Sequence, residues 1–84
     1  MPYIPQEDRD LIYLAAYELL DEITTPGEFA YALTLLLNRY VGKQADFTSL
    51  SEGIGVYESV KLEFYRRRMA PYEDIKCAEN GDVY

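Results

Sequence analysis

The sequence predicts an all-α protein: three short helices with an extended C-terminal tail, completed by association with copies of itself. Three observations lead there. Apolar residues recur at helical spacing in three stretches. Helix-start signals stand before the second and third of them, and prolines at positions 5, 26 and 71 punctuate the chain where helices begin or end.

Met1-Pro-Tyr-Ile-Pro5 opens as an extended lead, because two prolines fix φ and disfavour helix before them. Pro5 suits a first helical turn, and Glu7, Asp8 and Asp10 suit the positive end of a helix dipole. Ile12, Ala15, Ala16, Leu19, Leu20 and Ile23 then mark an amphipathic helix over roughly residues 6–23. Thr25-Pro-Gly-Glu28 is the clearest local signal: Thr25 can accept from the Glu28 N–H, Glu28 can reach back to the Thr25 N–H, and Pro26 sits where no N–H is needed. The second helix, residues 26–41, carries Phe29, Ala30, Leu33, Leu36, Leu37 and Tyr40, with Gly42 as its left-handed cap. It is apolar over more than half its circumference, so neighbours must cover more than one side.

A short polar connection follows. Ser49-Leu-Ser-Glu52 repeats the capping-box pattern, with Asp46 and Thr48 as equal alternatives for the cap. The third helix, about residues 48–69, has Leu50, Ile54, Tyr57, Val60 or Lys61, and Phe64 on its apolar stripe and stops before Pro71. Gly53 and Gly55 weaken it by about 1 kcal/mol each, and close approach of another helix is the use that explains them. Residues 71–84 read as a tail, either an extended arm or a turn at Asn80-Gly81.

At 84 residues the chain is one domain, and a lone monomer of this size is marginal. Cys77 is the only cysteine and there is no histidine, which leaves neither a disulfide nor a zinc site to compensate. Self-association is the remaining remedy. The missing histidine also removes the commonest general base, and no nucleophile arrangement or cofactor motif is present, so no enzyme is expected. No stretch spans a bilayer and no signal-peptide pattern opens the chain, which makes a reducing cytoplasm the expected location. The net charge of −7 argues against duplex nucleic acid as a partner.

That charge is unevenly spread. Residues 1–42 hold seven acids against two bases, residues 43–84 eight against six, and the three adjacent arginines lie in the second part. Tyr57, Lys61, Tyr65 and Arg68 fall at i, i+4, i+8 and i+11, one helix face of rings and cations; Arg66, Arg67 and Tyr72 flank it. Guanidinium forks match phosphate and phenol rings stack, so these seven residues are the candidate site for a small nucleotide-like anion. The same residues also fit a salt-bridged solvent face, with Glu63 on Arg67 and Glu58 on Lys61. Nine tyrosines without a tryptophan suggest partly covered surfaces: Tyr13 and Tyr17 at a core rim, Tyr3, Tyr72 and Tyr84 at an interface. Glu73, Asp74, Glu79 and Asp82 form a solvated acidic tail.

Met1-Pro-Tyr-Ile4, Thr25-Pro-Gly-Glu28, Ala32-Leu33, Lys61-Leu-Glu-Phe-Tyr-Arg-Arg67, Ala70-Pro-Tyr-Glu-Asp74 and Glu79-Asn-Gly-Asp-Val-Tyr84 together resemble a small family of bacteriophages and bacteria, a domain of unknown function. The resemblance covers nearly the whole chain and implies a phage or prophage setting. It brings no activity and no site residues. A looser likeness, of class only, is to short helical phage proteins that sequester the nucleotide signals of bacterial immunity. The leading expectation is therefore a non-enzymatic homo-oligomer that sequesters a small anionic ligand between subunits. The alternative is an inhibitor that binds a host protein through its acidic N-terminal half.

Overall fold

The computed structural model describes residues 2–84. Pro5 leads into a 3₁₀ turn, Gln6–Asp8, followed by α1 (Asp10–Asp21), α2 (Pro26–Val41), α3 (Phe47–Phe64), a π-helical turn (Tyr65–Met69) and α4 (Ala70–Asn80). No strand occurs among the described residues. Because α3, the π turn and α4 run on without a break, the helices form three rods. The third has about 50 Å of helical rise over its 34 residues, matching the 50 Å long dimension of the molecule.

The helix starts follow the capping chemistry. The Thr25 hydroxyl accepts from the Glu28 N–H at 3.1 Å, and Glu28 Oε1 accepts from the N–H of Thr25 at 3.2 Å. Thr24 adds its own N–H at 2.8 Å and its hydroxyl at 3.0 Å. At α3 the cap is Asp46: its Oδ1 accepts from the Ser49 N–H at 2.9 Å while Ser49 Oγ accepts from the Asp46 N–H at 3.1 Å. Gly42 ends α2 at φ +86°, ψ 167°, where a side chain is strained; its φ is positive, but its ψ lies outside the left-handed helical well.

Two expected boundaries are corrected. The first helix does not run from residue 6: the 3₁₀ turn takes residues 6–8, and α1 starts at Asp10. The C-terminal segment is not an extended tail from residue 71, for α4 carries helix to Asn80 and Gly81 closes it at φ +94°. A proline ring collides with the carbonyl four residues earlier in a regular helix. Here the turn before it is widened, with the Ala70 N–H bonded to the Tyr65 carbonyl at i+5 spacing, and Pro71 falls in the first turn of α4, where a missing N–H costs little.

What these rods do not build is a core. Ala32 is the one buried apolar side chain, at 7% exposure, and no large side chain is fully buried among the described residues. The accessible surface is 7905 Å², against about 5,100 Å² for a folded monomer of 9.7 kDa. The radius of gyration is 16.6 Å where about 12 Å is usual for a compact chain of this length. α2 and α3 approach closely at Gly53, buried in α3, where an added Cβ would stand 2.5 Å from Val41 Cγ2 and 3.4 Å from Leu37 Cδ1. Gly55 has nothing within 4 Å and needs no such account.

The caps carry a pH dependence with a definite sign. Bonds from the Thr24 N–H and hydroxyl, and then from Thr25, hold the Glu28 carboxyl below its ordinary value; the Ser49 N–H and hydroxyl do the same for Asp46. A carboxyl depressed in the folded state stabilises above the ordinary carboxylate range, and that contribution is lost as pH falls through the depressed value. Helix content followed by far-ultraviolet circular dichroism is therefore expected to fall as the solution is acidified below about pH 4.5. E28Q, which cannot titrate, should flatten part of that fall; an identical acid profile would show that the cap bonds do not act.

Candidate ligand-binding site

The α2–α3 hairpin closes tightly at Gly53 and opens a groove away from it. Phe29, Leu33, Leu36, Leu37 and Tyr40 of α2 face Val56, Tyr57, Val60, Lys61 and Phe64 of α3 across about 550 Å³. The walls are almost wholly apolar, and Tyr40, Tyr57 and Lys61 are the lining residues whose side chains carry a polar group. A space of this size admits a nucleoside-sized body or part of a helix.

Cations stand on one wall. Lys61 Nζ lies 3.2 Å from Glu58 Oε1, but both side chains are about half exposed or more, and such a surface pair holds weakly. The Arg68 guanidinium sits 5.8 Å from the centroid of Phe64, which itself lines the groove. Arg68 and Arg67 have no carboxylate partner within salt-bridge distance among the described residues.

The other candidate residues are placed elsewhere. Arg66 Nη2 is bound to Glu63 Oε1 at 2.7 Å, and the Tyr3 hydroxyl donates to the same oxygen. The carboxylate therefore lies below its usual range, first through Tyr3 and then through Arg66, and the Tyr3 phenol and the Arg66 guanidinium are pushed up in return. The expected Glu63–Arg67 pair is replaced by this i,i+3 pair with Arg66. Tyr65 donates to Glu73 Oε1 at 2.7 Å, which raises its phenol, and the Tyr72 ring carries Lys76 Nζ at 5.7 Å. Both tyrosines line a separate hollow with Glu73, Asp74 and Asp82, too acidic to attract an anion.

The single face expected of Tyr57, Lys61, Tyr65 and Arg68 is thus divided. Tyr57 and Lys61 line the groove, Arg68 stands 5.8 Å from the ring of the groove residue Phe64, and Tyr65 turns to Glu73. Three consecutive arginines also leave a helix in directions about 100° apart, so one chain cannot aim all three at one point. Missing from the expected set were Phe29, Tyr40 and Phe64. They were visible as stripe residues, but a stripe reads as core until the packing shows it uncovered.

The class that the fold defines is an all-helical protein with an open apolar groove between α2 and α3. The chain belongs to the family described as Domain of unknown function (DUF6899), whose model matches residues 1–83. No curated protein and no solved structure matches it. No helix among the described residues is long and apolar enough to cross a membrane.

Proposed function

We propose that this protein is a non-enzymatic homo-oligomer that binds and sequesters a small anionic, nucleotide-like ligand at a subunit interface. The observation that carries the reading is the edge of the α2–α3 groove, where Tyr57, Lys61 and Arg68 combine rings with cations that no strong carboxylate neutralises. The base of the ligand would lie against Tyr57 and Phe64 and its phosphate on Lys61 and Arg68. A net charge of −7 repels polymeric nucleic acid while a local cationic edge still admits a small anion. A second subunit supplies the cover that the open groove lacks, and Arg67 is a cation it can bring. In the phage setting that the sequence resemblance implies, the ligand is a nucleotide signal of bacterial defence in the host cytoplasm.

Calorimetry of the assembled protein against cyclic and ADP-ribose-type nucleotides tests this. At least one should bind, and K61A and R68A should each weaken it by about tenfold or more. Y72F, remote from the groove, should bind as the parent does. Absence of binding to every nucleotide in the set overturns the reading. The acidic surface of α1, where Asp10, Glu18 and Asp21 are all exposed, favours the second reading, an inhibitor of a basic host protein. Recovery of one stoichiometric basic partner from host lysate, together with silent calorimetry, would establish it instead.

A further inference from the structure

The most apolar helix of the chain is also the one without a neighbour. α1 lies alongside none of the other helices; the 3₁₀ turn before it is its only close backbone neighbour. Leu11 is 83% exposed and Ile12 62%. Twelve residues are too few to hold a helix in water unaided, so α1 needs a surface to cover it.

We infer that α1 of a second copy fills the apolar body of the α2–α3 groove, and that the exchange is reciprocal. This rests on the homo-oligomer part of the proposed function, and the seated helix leaves the ligand only the outer edge of the groove at Lys61 and Arg68. Three facts select this occupant. Phe29 to Tyr40, the α2 wall, spans as many residues as α1, so the lengths match at about 18 Å. In its own chain α1 ends at a different hollow of α2, where Leu19 and Ile23 meet Tyr31, Ala32 and Leu35 and only Leu36 is shared with the groove, and the capped four-residue link from Glu22 to Thr25 holds it there. Finally, the surface exposed beyond that of a compact monomer is about 2,800 Å², well above the roughly 800 Å² per partner of an ordinary stable interface. A reciprocal contact buries two such grooves about one two-fold axis and closes the assembly.

The test uses full-length chains with Cys77→Ser throughout. Ala16→Cys, at the middle of the α1 stripe, and Val56→Cys, on the groove wall, are made on separate chains of different mass, mixed, equilibrated and treated with a short bismaleimide. A linked heterodimer is expected. Thr34→Cys, exposed on α2 outside the groove, should link to Ala16→Cys only at background, and Val60→Cys, one turn along the same wall, provides a second groove position should Val56→Cys not fold. Equal linkage to the wall and to Thr34→Cys overturns the proposal. If light scattering then still shows an oligomer, the homo-oligomer survives and only this docking fails; a monomer removes both. Nucleotide calorimetry reports on the ligand separately.

Discussion

G53V is expected to separate α2 from α3 and lower stability by about 1–3 kcal/mol, the usual range for an overpacked contact. Local propensity argues the other way, since glycine inside a helix costs about 0.5–1 kcal/mol relative to alanine and its removal ordinarily helps. The contact decides. A Cβ at position 53 would stand 2.5 Å from Val41 Cγ2, and Val41 is β-branched, with essentially one helical rotamer to offer. The backbones must part at Gly53, which itself lines the groove, and the groove walls part with them. Two residues on, Gly55 has open space around it, so G55A should show the propensity gain alone, about 0.5–1 kcal/mol in the stabilising direction. Urea midpoints for G53V, G53A and G55A measure all three. Alanine at 53 stabilising as much as alanine at 55 would mean that the helices do not meet there.

The contrast between those glycines shows where sequence reading stopped. Both weaken the same turn of α3, and the sequence assigns both the same purpose; only the partner helix tells them apart. Local chemistry was more legible. Thr25, Pro26 and Glu28 form a complete cap from neighbouring residues, so the bounds of α2 at Pro26 and Val41 are those its sequence predicts. Pro71 is less legible, for the opposite reason. Its usual effect is to end a helix, yet one π turn relieves the clash, and no residue of Tyr65–Met69 announces that turn. The widened turn then redirects the side chains around it. Tyr65 finds Glu73, eight residues on in α4, an acid that had been assigned to a solvated tail.

The candidate site divides along the same line. Tyr57 and Lys61 lie within regular α3, where i,i+4 spacing holds, and they do share a wall of the groove. Past Phe64 the spacing no longer applies. Arg66 is captured by Glu63 together with Tyr3, sixty residues away in sequence, a contact that no periodicity encodes. Pairing of Arg66 with Glu63 leaves Lys61 and Arg68 as the cations beside the groove.

The largest effect expected is on the response to dilution. A monomeric domain has a stability independent of its own concentration, because folding and unfolding are both unimolecular. This protomer buries Ala32 and Gly53 and leaves Leu11, Ile12, Leu14, Leu36 and Phe64 largely in water, so its apolar burial within one chain falls far short of what ordering the chain demands. Under the proposed homo-oligomer the balance comes from a second copy, and for a dimer whose subunits fold on assembly each hundredfold dilution costs about 2.7 kcal/mol by mass action. Thermal unfolding followed by circular dichroism across a hundredfold range should therefore show the midpoint falling by several degrees or more, with helix loss and dissociation coincident. For a chain of this size about 1 kcal/mol moves the midpoint by roughly 4–8 °C, so the shift is well outside error. I12E should exaggerate it by placing a charge on the uncovered α1 stripe. A midpoint that stays fixed over that range would mean that the chain folds alone, and the open groove would then belong to something other than a second copy.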